Sequence, residues 1–286
     1  MNVRDILNKA KNEKYAIPQF NINNLEWAKY ILEVCEEEKS PVFLGVSSGA
    51  AKYMGGFNTV VGMVNGLKKD LNITVPVMLH LDHATTFELC KNAVDAGFDS
   101  IMFDGSKLPY EENIKVTNEV KNYLNGQLLE AEIGKIGGEE DGIANEVYFT
   151  SVSEAEDFIS KTNIDMLAPA LGSVHGIYKG KPDIKLDIMK EISEKTSMPL
   201  VLHGGSGIPE EILKESVNSG ICKANFNTEL QLGWHEEVVR FIRENESVYD
   251  PRKVISSGEQ GLKNVAREYI RILGSKGKAQ YEENKY

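Results

Sequence analysis

Eight short apolar runs, each leading into a longer amphipathic stretch, constrain this chain more than any other feature of its sequence. The runs are Ala16–Ile22, Val42–Ser47, Val75–Leu81, Ser100–Phe103, Gln127–Ile133, Met166–Pro169, Leu200–His203 and Ala224–Asn227. Between them, Leu25–Lys39, Thr59–Leu71, Phe87–Ala96, Ser153–Lys161, Lys185–Glu194 and Pro209–Ser219 carry apolar residues at helical spacing. Pro109 and Pro209 stand where a first helical turn tolerates proline. Strand and helix in alternation predict a parallel sheet. An open, doubly wound sheet would want a glycine-rich dinucleotide turn after its first strand, and Phe20-Asn21-Ile22-Asn23-Asn24 offers none. A closed (β/α)8 barrel takes ~250 residues, so the expectation for this 286-residue chain is α/β, a single-domain TIM barrel over 1–286 with a C-terminal helical segment at about 256–276.

Sliding the chain against itself by 123 residues lays Val75-Pro76-Val77-Met78-Leu79-His80 over Met198-Pro199-Leu200-Val201-Leu202-His203. The match continues with Val94 over Val217, Gly97 over Gly220, Phe103 over Phe226 and Asp104 over Asn227. An offset of four βα units is what two related halves would give, and shared βα packing constraints give the same.

Charge and cysteine content narrow the partners. A net charge of −11 argues against nucleic acid and against an anionic membrane surface, both of which demand a basic face. Cys35, Cys90 and Cys222 are odd in number and far apart, which fits neither a disulfide framework nor a paired-cysteine metal site and suits a reducing, cytoplasmic setting. The stretch from Met1 to Tyr15 is charged and lacks a signal-peptide core, and no apolar run approaches the ~20 residues of a membrane span.

Polar residues at the C-terminal strand ends are the ones to question, because such barrels build their active sites there. The third run ends in His80-Leu81-Asp82-His83, the sixth is followed by Ser173-Val174-His175-Gly176, and the seventh ends in Leu202-His203-Gly204-Gly205. Four of five histidines therefore fall at one rim; His235, in a helical stretch, reads as an ordinary surface or core histidine. Neutral imidazoles converging with carboxylates suit Zn²⁺, whose catalytic sites keep three protein ligands and an open position. Asp104 and Glu132 end the fourth and fifth runs. They can be ligands, partners orienting an imidazole, a second metal position, or simply a helix cap and a buried hydrogen bond. His203-Gly204-Gly205-Ser206-Gly207 and Asn225-Phe226-Asn227-Thr228 are two adjacent turns suited to phosphate, near Lys179, whose charge could serve an anion. Gly134–Thr150 reads as a long mobile loop whose Glu139 or Glu140 could cover a substrate as a lid.

His-Leu-Asp-His at 80 to 83, Gly-Gly-Glu-Glu-Asp-Gly at 137 to 142, Ala-Leu-Gly-Ser-Val-His-Gly at 170 to 176, His-Gly-Gly-Ser-Gly at 203 to 207 and Asn-Phe-Asn-Thr at 225 to 228 together resemble class II fructose-bisphosphate aldolases, in register from about Ile17 to about Arg252. Tagatose-bisphosphate aldolases share the pattern. Leu167 to Ser173 and Asn225 to Thr228 look more like the fructose branch, since the tagatose branch tends to have Ala in place of Asn227.

The resemblance implies zinc ligands at His83, His175 and His203, with Asp104 and Glu132 matching carboxylates of an alternative or second metal position, and it leaves room for a monovalent cation. It implies a proton donor at Asp82 and a proton-transferring loop glutamate at Glu140. Gly176, Lys179, Gly204, Gly205, Ser206, Asn225, Asn227 and Thr228 match positions around the dihydroxyacetone-phosphate end. Asn21 and Ser47 match substrate contacts, and Arg252 matches an arginine lent by a neighbouring subunit of a homodimer or homotetramer. The expected reaction is reversible cleavage of a sugar bisphosphate; a metal-dependent barrel hydrolase and a non-catalytic sugar-phosphate binder are the rivals. A Schiff-base route would need a rim lysine, and Lys223 lies toward the start of its strand. One tension remains: the repeat superposes His80 on His203, whereas the family motif selects His83, which period-two alternation places beyond the regular strand.

Overall fold

The computed structural model of the chain describes residues 3–140, 143–145, 148–176, 178, 180 and 182–279, and the side chains of these except at 137–140 and 143–145. Helix α1 (Val3–Asn12) precedes β1 (Ile17–Asn21), α2 (Leu25–Glu38), β2 (Val42–Ser47), α3 (Ser48–Tyr53), α4 (Phe57–Asp70), β3 (Val77–Ala84), α5 (Phe87–Ala96), β4 (Ser100–Phe103), α6 (Tyr110–Tyr123) and β5 (Leu128–Ile133). Two short strands follow, β6 (Gly137–Glu140) and β7 (Ile143–Asn145), then α7 (Val152–Thr162), β8 (Met166–Pro169), β9 (Val174–His175), α8 (Leu186–Thr196), β10 (Leu200–Leu202), α9 (Glu210–Asn218) and β11 (Ile221–Phe226). Helices α10 (Thr228–Glu244), α11 (Pro251–Ser256) and α12 (Glu259–Ile272) complete the described chain.

Eight parallel strands close in the order β1-β11-β10-β8-β5-β4-β3-β2, so the predicted TIM barrel is present and each of the eight apolar runs supplies one stave. The two segments of the internal match, β3-α5-β4 and β10-α9-β11, stand four staves apart. Helix ends are read from local chemistry. Asn24 accepts a hydrogen bond from the Trp27 amide at the start of α2, and Ser151 with Glu154 forms a reciprocal capping box on α7. Pro109 and Pro209 are the cap residues immediately before α6 and α9.

Alternate residues along each stave face the barrel interior, and the interior changes character from floor to rim. At the floor stand Ile17, Phe43, Met78, Leu128, Met166 and Val201, packed with Ile6, Leu7 and Ala10 of α1, which closes the N-terminal end like a plug. Burying each such side chain contributes about 1.5–3 kcal/mol. Two residues further along β1, β3 and β5 the interior turns polar at Gln19, His80 and Glu130, and Lys223 of β11 joins them; all four are fully buried. The sequence reading has no counterpart to α1, because a ten-residue amphipathic helix before the first strand is not part of the βα repeat.

The structure departs from the sequence expectation at two places. Gly134–Thr150 is not a loop without structure of its own: β6 pairs antiparallel with β7 and parallel with β9, placing Gly137 beside Val174 and Gly138 beside His175. Backbone groups hold this small sheet, and a glycine pair with charged neighbours carries no apolar alternation by which to recognise it. His83 also lies within strand β3 rather than beyond it. It adopts a left-handed backbone, φ +50°, at a register shift between Leu81 and Ala84.

Candidate metal centre

The bulge decides which histidine reaches the rim. Alternation sends His80 and Asp82 inward, and the extra residue in the register swings His83 inward as well. His80 remains beneath, fully buried, sharing a 2.8 Å hydrogen bond with Ser100 and an edge contact with Phe43. Burial, with the Lys223 ammonium nearby, pushes its pKa down to about 3, so it is neutral. His175 arrives on β9 and His203 just past β10. The His83 ring centroid is 5.0 Å from that of His175 and 4.6 Å from that of His203, both edge to face.

Nitrogens of His83, His175 and His203 lie within 4.8 Å of one another, and so do the ligand atoms of His83, Asp104 and Glu132. The chemistry of this donor set fits a cation. His83 Nδ1 is 2.9 Å from Asp104 Oδ2, and His203 Nε2 is 2.9 Å from Glu130 Oε1. With each imidazole N–H spent on a carboxylate, the two nitrogens left, His83 Nε2 and His203 Nδ1, both present lone pairs, and they face each other at 2.7 Å. Lone pairs so placed repel unless a proton or a metal ion sits between them. The electrostatics agree. Burial opposes charge on His83, but the hydrogen bond to Asp104 and the charges of Asp82, Asp104 and Glu132 hold its pKa well above the usual value. Burial, then the neighbouring imidazoles, push His175 and His203 down.

Asp82 is 2% exposed beside these rings. Burial pushes its pKa up, and the surrounding histidines and Lys223 outweigh that and hold it well below the carboxylate range. Its Oδ2 accepts from Asn21 Nδ2 at 2.9 Å, and Asn21 Oδ1 accepts from Gln19 Nε2 at 3.0 Å. This ladder crosses Gly45 so closely that a Cβ there would sit 2.4 Å from Gln19 Nε2. Asp82 Oδ1 is buried with no hydrogen-bond partner among the described residues. An ionised oxygen thus faces the cluster, able to accept a proton from a hydroxyl group.

The two turns meet beside the rings. Gly205 N–H donates to the Asn225 carbonyl at 3.0 Å, and Asn227 N–H to Ser206 Oγ at 3.3 Å. Gly204, at φ +62°, passes so near β9 that a Cβ would lie 2.2 Å from the Val174 carbonyl oxygen. Tyr178 pins the same place, donating to the Gly204 carbonyl at 2.8 Å and accepting from Val174 N–H at 3.1 Å. Asn227 caps α10, which begins at Thr228, so a helix N-terminus with its partial positive charge underlies the turn.

Of the residues singled out in the sequence, Asn21, Asp82, His83, Asp104, Glu132, His175 and His203 converge, with Gly176 next to His175 and Gly204, Gly205, Ser206, Asn225, Asn227 and Thr228 in the paired turns. Ser47 stands beside Asp82 in the β2–β3 register while its hydroxyl caps α3, accepting from Ala50 N–H at 3.1 Å. Asp104 contacts His83 and accepts from Ser106 N–H at 3.0 Å in a local turn; it caps no helix, since the residue before α6 is Pro109. Arg252 is not brought to the cluster: it is exposed on α11, its guanidinium paired with Asp250. Lys179 and the Glu140 side chain lie outside the described residues.

Sequence reasoning missed Gln19, Glu130, Tyr178 and Lys223. Lys223 was set aside as lying at the wrong end of its strand, yet its ammonium is fully buried, 2.9 Å from Glu130 Oε2 and 3.0 Å from Asn225 Oδ1. The available signal was the pairing of polar residues two apart on apolar strands: Gln19 with Asn21, Glu130 with Glu132, Lys223 with Asn225.

A closed βα barrel that gathers three imidazoles and several carboxylates at its C-terminal rim has the donor set of metal-dependent barrel lyases and hydrolases. The chain belongs to the class II fructose-bisphosphate aldolase family, whose model, described as "Fructose-bisphosphate aldolase class-II", matches residues 1–278. It is an aldolase, in a metal-dependent family, and the hydrolase and non-catalytic readings fall away. A fructose-bisphosphate aldolase of Geobacillus stearothermophilus is 50% identical over 282 residues, covering 98% of both chains. A 6-phospho-5-dehydro-2-deoxy-D-gluconate aldolase of Bacillus subtilis strain 168 is 45% identical over 281 residues, covering 98% of this chain and 97% of its own. The crystal structure of the YdjI aldolase from Escherichia coli K12 superposes with a TM-score of 0.84 at 32% identity, covering 98% of this chain and 99% of that one. The relatives do not favour the tagatose reading. Among the described residues, no helix is long and apolar enough to cross a membrane.

Proposed function

We propose that the chain cleaves fructose 1,6-bisphosphate reversibly to dihydroxyacetone phosphate and glyceraldehyde 3-phosphate, in the cytoplasm, as a zinc-dependent step of glycolysis and gluconeogenesis. The observation that carries this reading is the convergence of His83, His175 and His203 beside an ionised, buried Asp82. His83, His175 and His203 hold the ion, and Asp104 and Glu132 provide the alternative or second position. Zinc supplies Lewis acidity for the carbanion character that develops on C3 when the C3–C4 bond breaks.

The rest is done by the chain's own groups. Asp82, oriented by Asn21, takes the C4 hydroxyl proton in cleavage and returns it in condensation. Glu140, on the strand that pairs beside β9, serves the C3 proton. The turns at Gly204–Ser206 and Asn225–Thr228, with Gly176 and Lys179, bind the phosphate next to the ketone through backbone N–H groups and the α10 N-terminus. Ser47 contacts substrate. Arg252, exposed and held only by Asp250 among the described groups, reaches the far phosphate of a neighbouring subunit in a homodimer or homotetramer.

The B. subtilis relative motivates a second reading, since the sugar acid in its name shares a phosphate next to a hydroxyl-ketone segment but carries a carboxylate at its far end. Turnover of fructose 1,6-bisphosphate, tagatose 1,6-bisphosphate and 6-phospho-5-dehydro-2-deoxy-D-gluconate, each before and after chelation and Zn²⁺ restoration, tests both. Chelator-sensitive cleavage favouring fructose 1,6-bisphosphate is expected. Preference for the sugar acid replaces the substrate, and activity that survives full metal removal overturns the metal assignment.

A further inference from the structure

Beneath the rim, Glu130, Lys223, His203 and His80 form a polar cluster with no exposed side-chain surface. Glu130 Oε1 meets His203 Nε2 at 2.9 Å, its Oε2 meets Lys223 Nζ at 2.9 Å, and His80 Nε2 is 3.7 Å from the same oxygen. A buried Glu–Lys pair is costly to assemble and is weak evidence for stability, so its place directly below a rim histidine invites another explanation. Imidazole has two neutral tautomers, and only the Nε2–H form leaves the Nδ1 lone pair of His203 turned toward His83 and the cluster.

We propose that Glu130, anchored and aimed by Lys223, is a positioning residue that locks His203 as its Nε2–H tautomer, so that Nδ1 is presented to the metal before the metal arrives. The inference rests on the proposed metal-binding role of His203. The lysine contributes twice: it anchors the carboxylate, and by donating to Asn225 Oδ1 it turns the amide nitrogen of Asn225 away from itself. One buried ion pair thereby ties a rim histidine on one stave to the substrate turn on the next. Leu128, two residues before Glu130 on the same inward face, is apolar, so nothing in the strand pattern requires a charge here.

The test measures Zn²⁺ affinity by competition with a chromophoric chelator, in wild type, Glu130→Gln and the double variant Glu130→Leu/Lys223→Met. The double variant removes both charges together and so avoids leaving either one buried alone. Its Zn²⁺ affinity is expected to fall about 10–100-fold, in the range found when partners of metal-bound histidines are removed. Glu130→Gln, whose amide oxygen still accepts from Nε2–H, is expected to stay within about threefold of wild type, a change below 1 kcal/mol. Wild-type affinity in a folded double variant makes the pair merely structural and overturns the proposal. A second measurement does not depend on any variant folding: ¹⁵N shifts of histidine-labelled, metal-free wild type are expected to show His203 protonated on Nε2, and a neutral ring protonated on Nδ1 alone refutes the lock. Wild type that takes up no Zn²⁺ sinks the metal reading and the inference together, whereas a double variant as tight as wild type sinks the inference alone.

Discussion

The floor and the upper interior of this barrel are built from the same strands two residues apart, and they obey opposite rules. Met78 precedes His80 and Asp82 on β3; Leu128 precedes Glu130 and Glu132 on β5; Ile17 precedes Gln19 and Asn21 on β1. Below, side chains are apolar and α1 seals them from water. Above, carboxylates, imidazoles and amides are buried just as deeply, and each is paired in a ladder that ends at the rim. The difference teaches where the fold's stability resides and where it is spent. Burying charge costs several kcal/mol per ion before pairing, and that cost is borne by a scaffold whose floor contributes packing alone.

If this division holds, substitutions in the two layers should fail in different currencies. The largest effect is expected from Asp82→Asn, which keeps the shape but removes the ionised oxygen: kcat should drop about 10²–10⁴-fold while Zn²⁺ content and thermal midpoint stay near wild type. A concurrent loss of metal would show that Asp82 is structural to the centre. At the floor, Met78→Ala should cost about 2–5 kcal/mol in denaturant unfolding through the cavity it leaves, with kcat of the folded fraction unchanged. A large fall in kcat there would break the separation of layers.

Gly45→Ala joins the two currencies. Its new methyl would collide with the Gln19–Asn21 ladder, so a loss of about 1–3 kcal/mol should come with reduced kcat as Asn21 releases Asp82. Wild-type kinetics in that variant would show that the ladder does not orient the acid.

The smallest effect belongs to the floor's outer edge. Asp165, before β8, pairs with Arg4 of α1 and Lys121 at 2.8 Å each and accepts from Leu129 N–H. Burial pushes its pKa up, but these partners outweigh it and hold it below its ordinary 3.8. The folded pKa is the lower one, so the stabilisation is full above the unfolded value and is lost as pH falls through the folded value. Asp165→Asn should cost about 1 kcal/mol at pH 7, discounted because Arg4 is half exposed. The difference from wild type should vanish in acid, and a penalty that persists at pH 2 would assign it to packing instead.

How far the molecule was legible follows from what each layer writes into the sequence. Eight staves were readable because an apolar run bounded by amphipathic helices has a period, and the rim histidines were readable because four of five fell at strand ends. The inward turn of His83 was not, since alternation alone places it on the outer face and only a bulge with φ +50° reverses that. Glu130 is hidden by the apolarity of its strand, although Leu128-Leu129-Glu130-Ala131-Glu132 puts two glutamates on one buried face, and Lys223 is hidden by its place near the start of its strand, below the rim. The β6–β7–β9 sheet left no trace in hydrophobic periodicity, since glycine and backbone pairing make it. Arg252 sits on α11 paired with Asp250, away from the rim, and strand and helix periodicity say nothing of its role.

The central claim is that His83, His175 and His203 hold one metal ion at the top of the polar interior. Anomalous scattering from a crystal grown with Zn²⁺, recorded on both sides of the zinc edge, tests it most directly. The account predicts one strong peak between the three rings, about 2.0–2.1 Å from a nitrogen of each. A peak held only by carboxylates elsewhere, or none between the imidazoles, would contradict it.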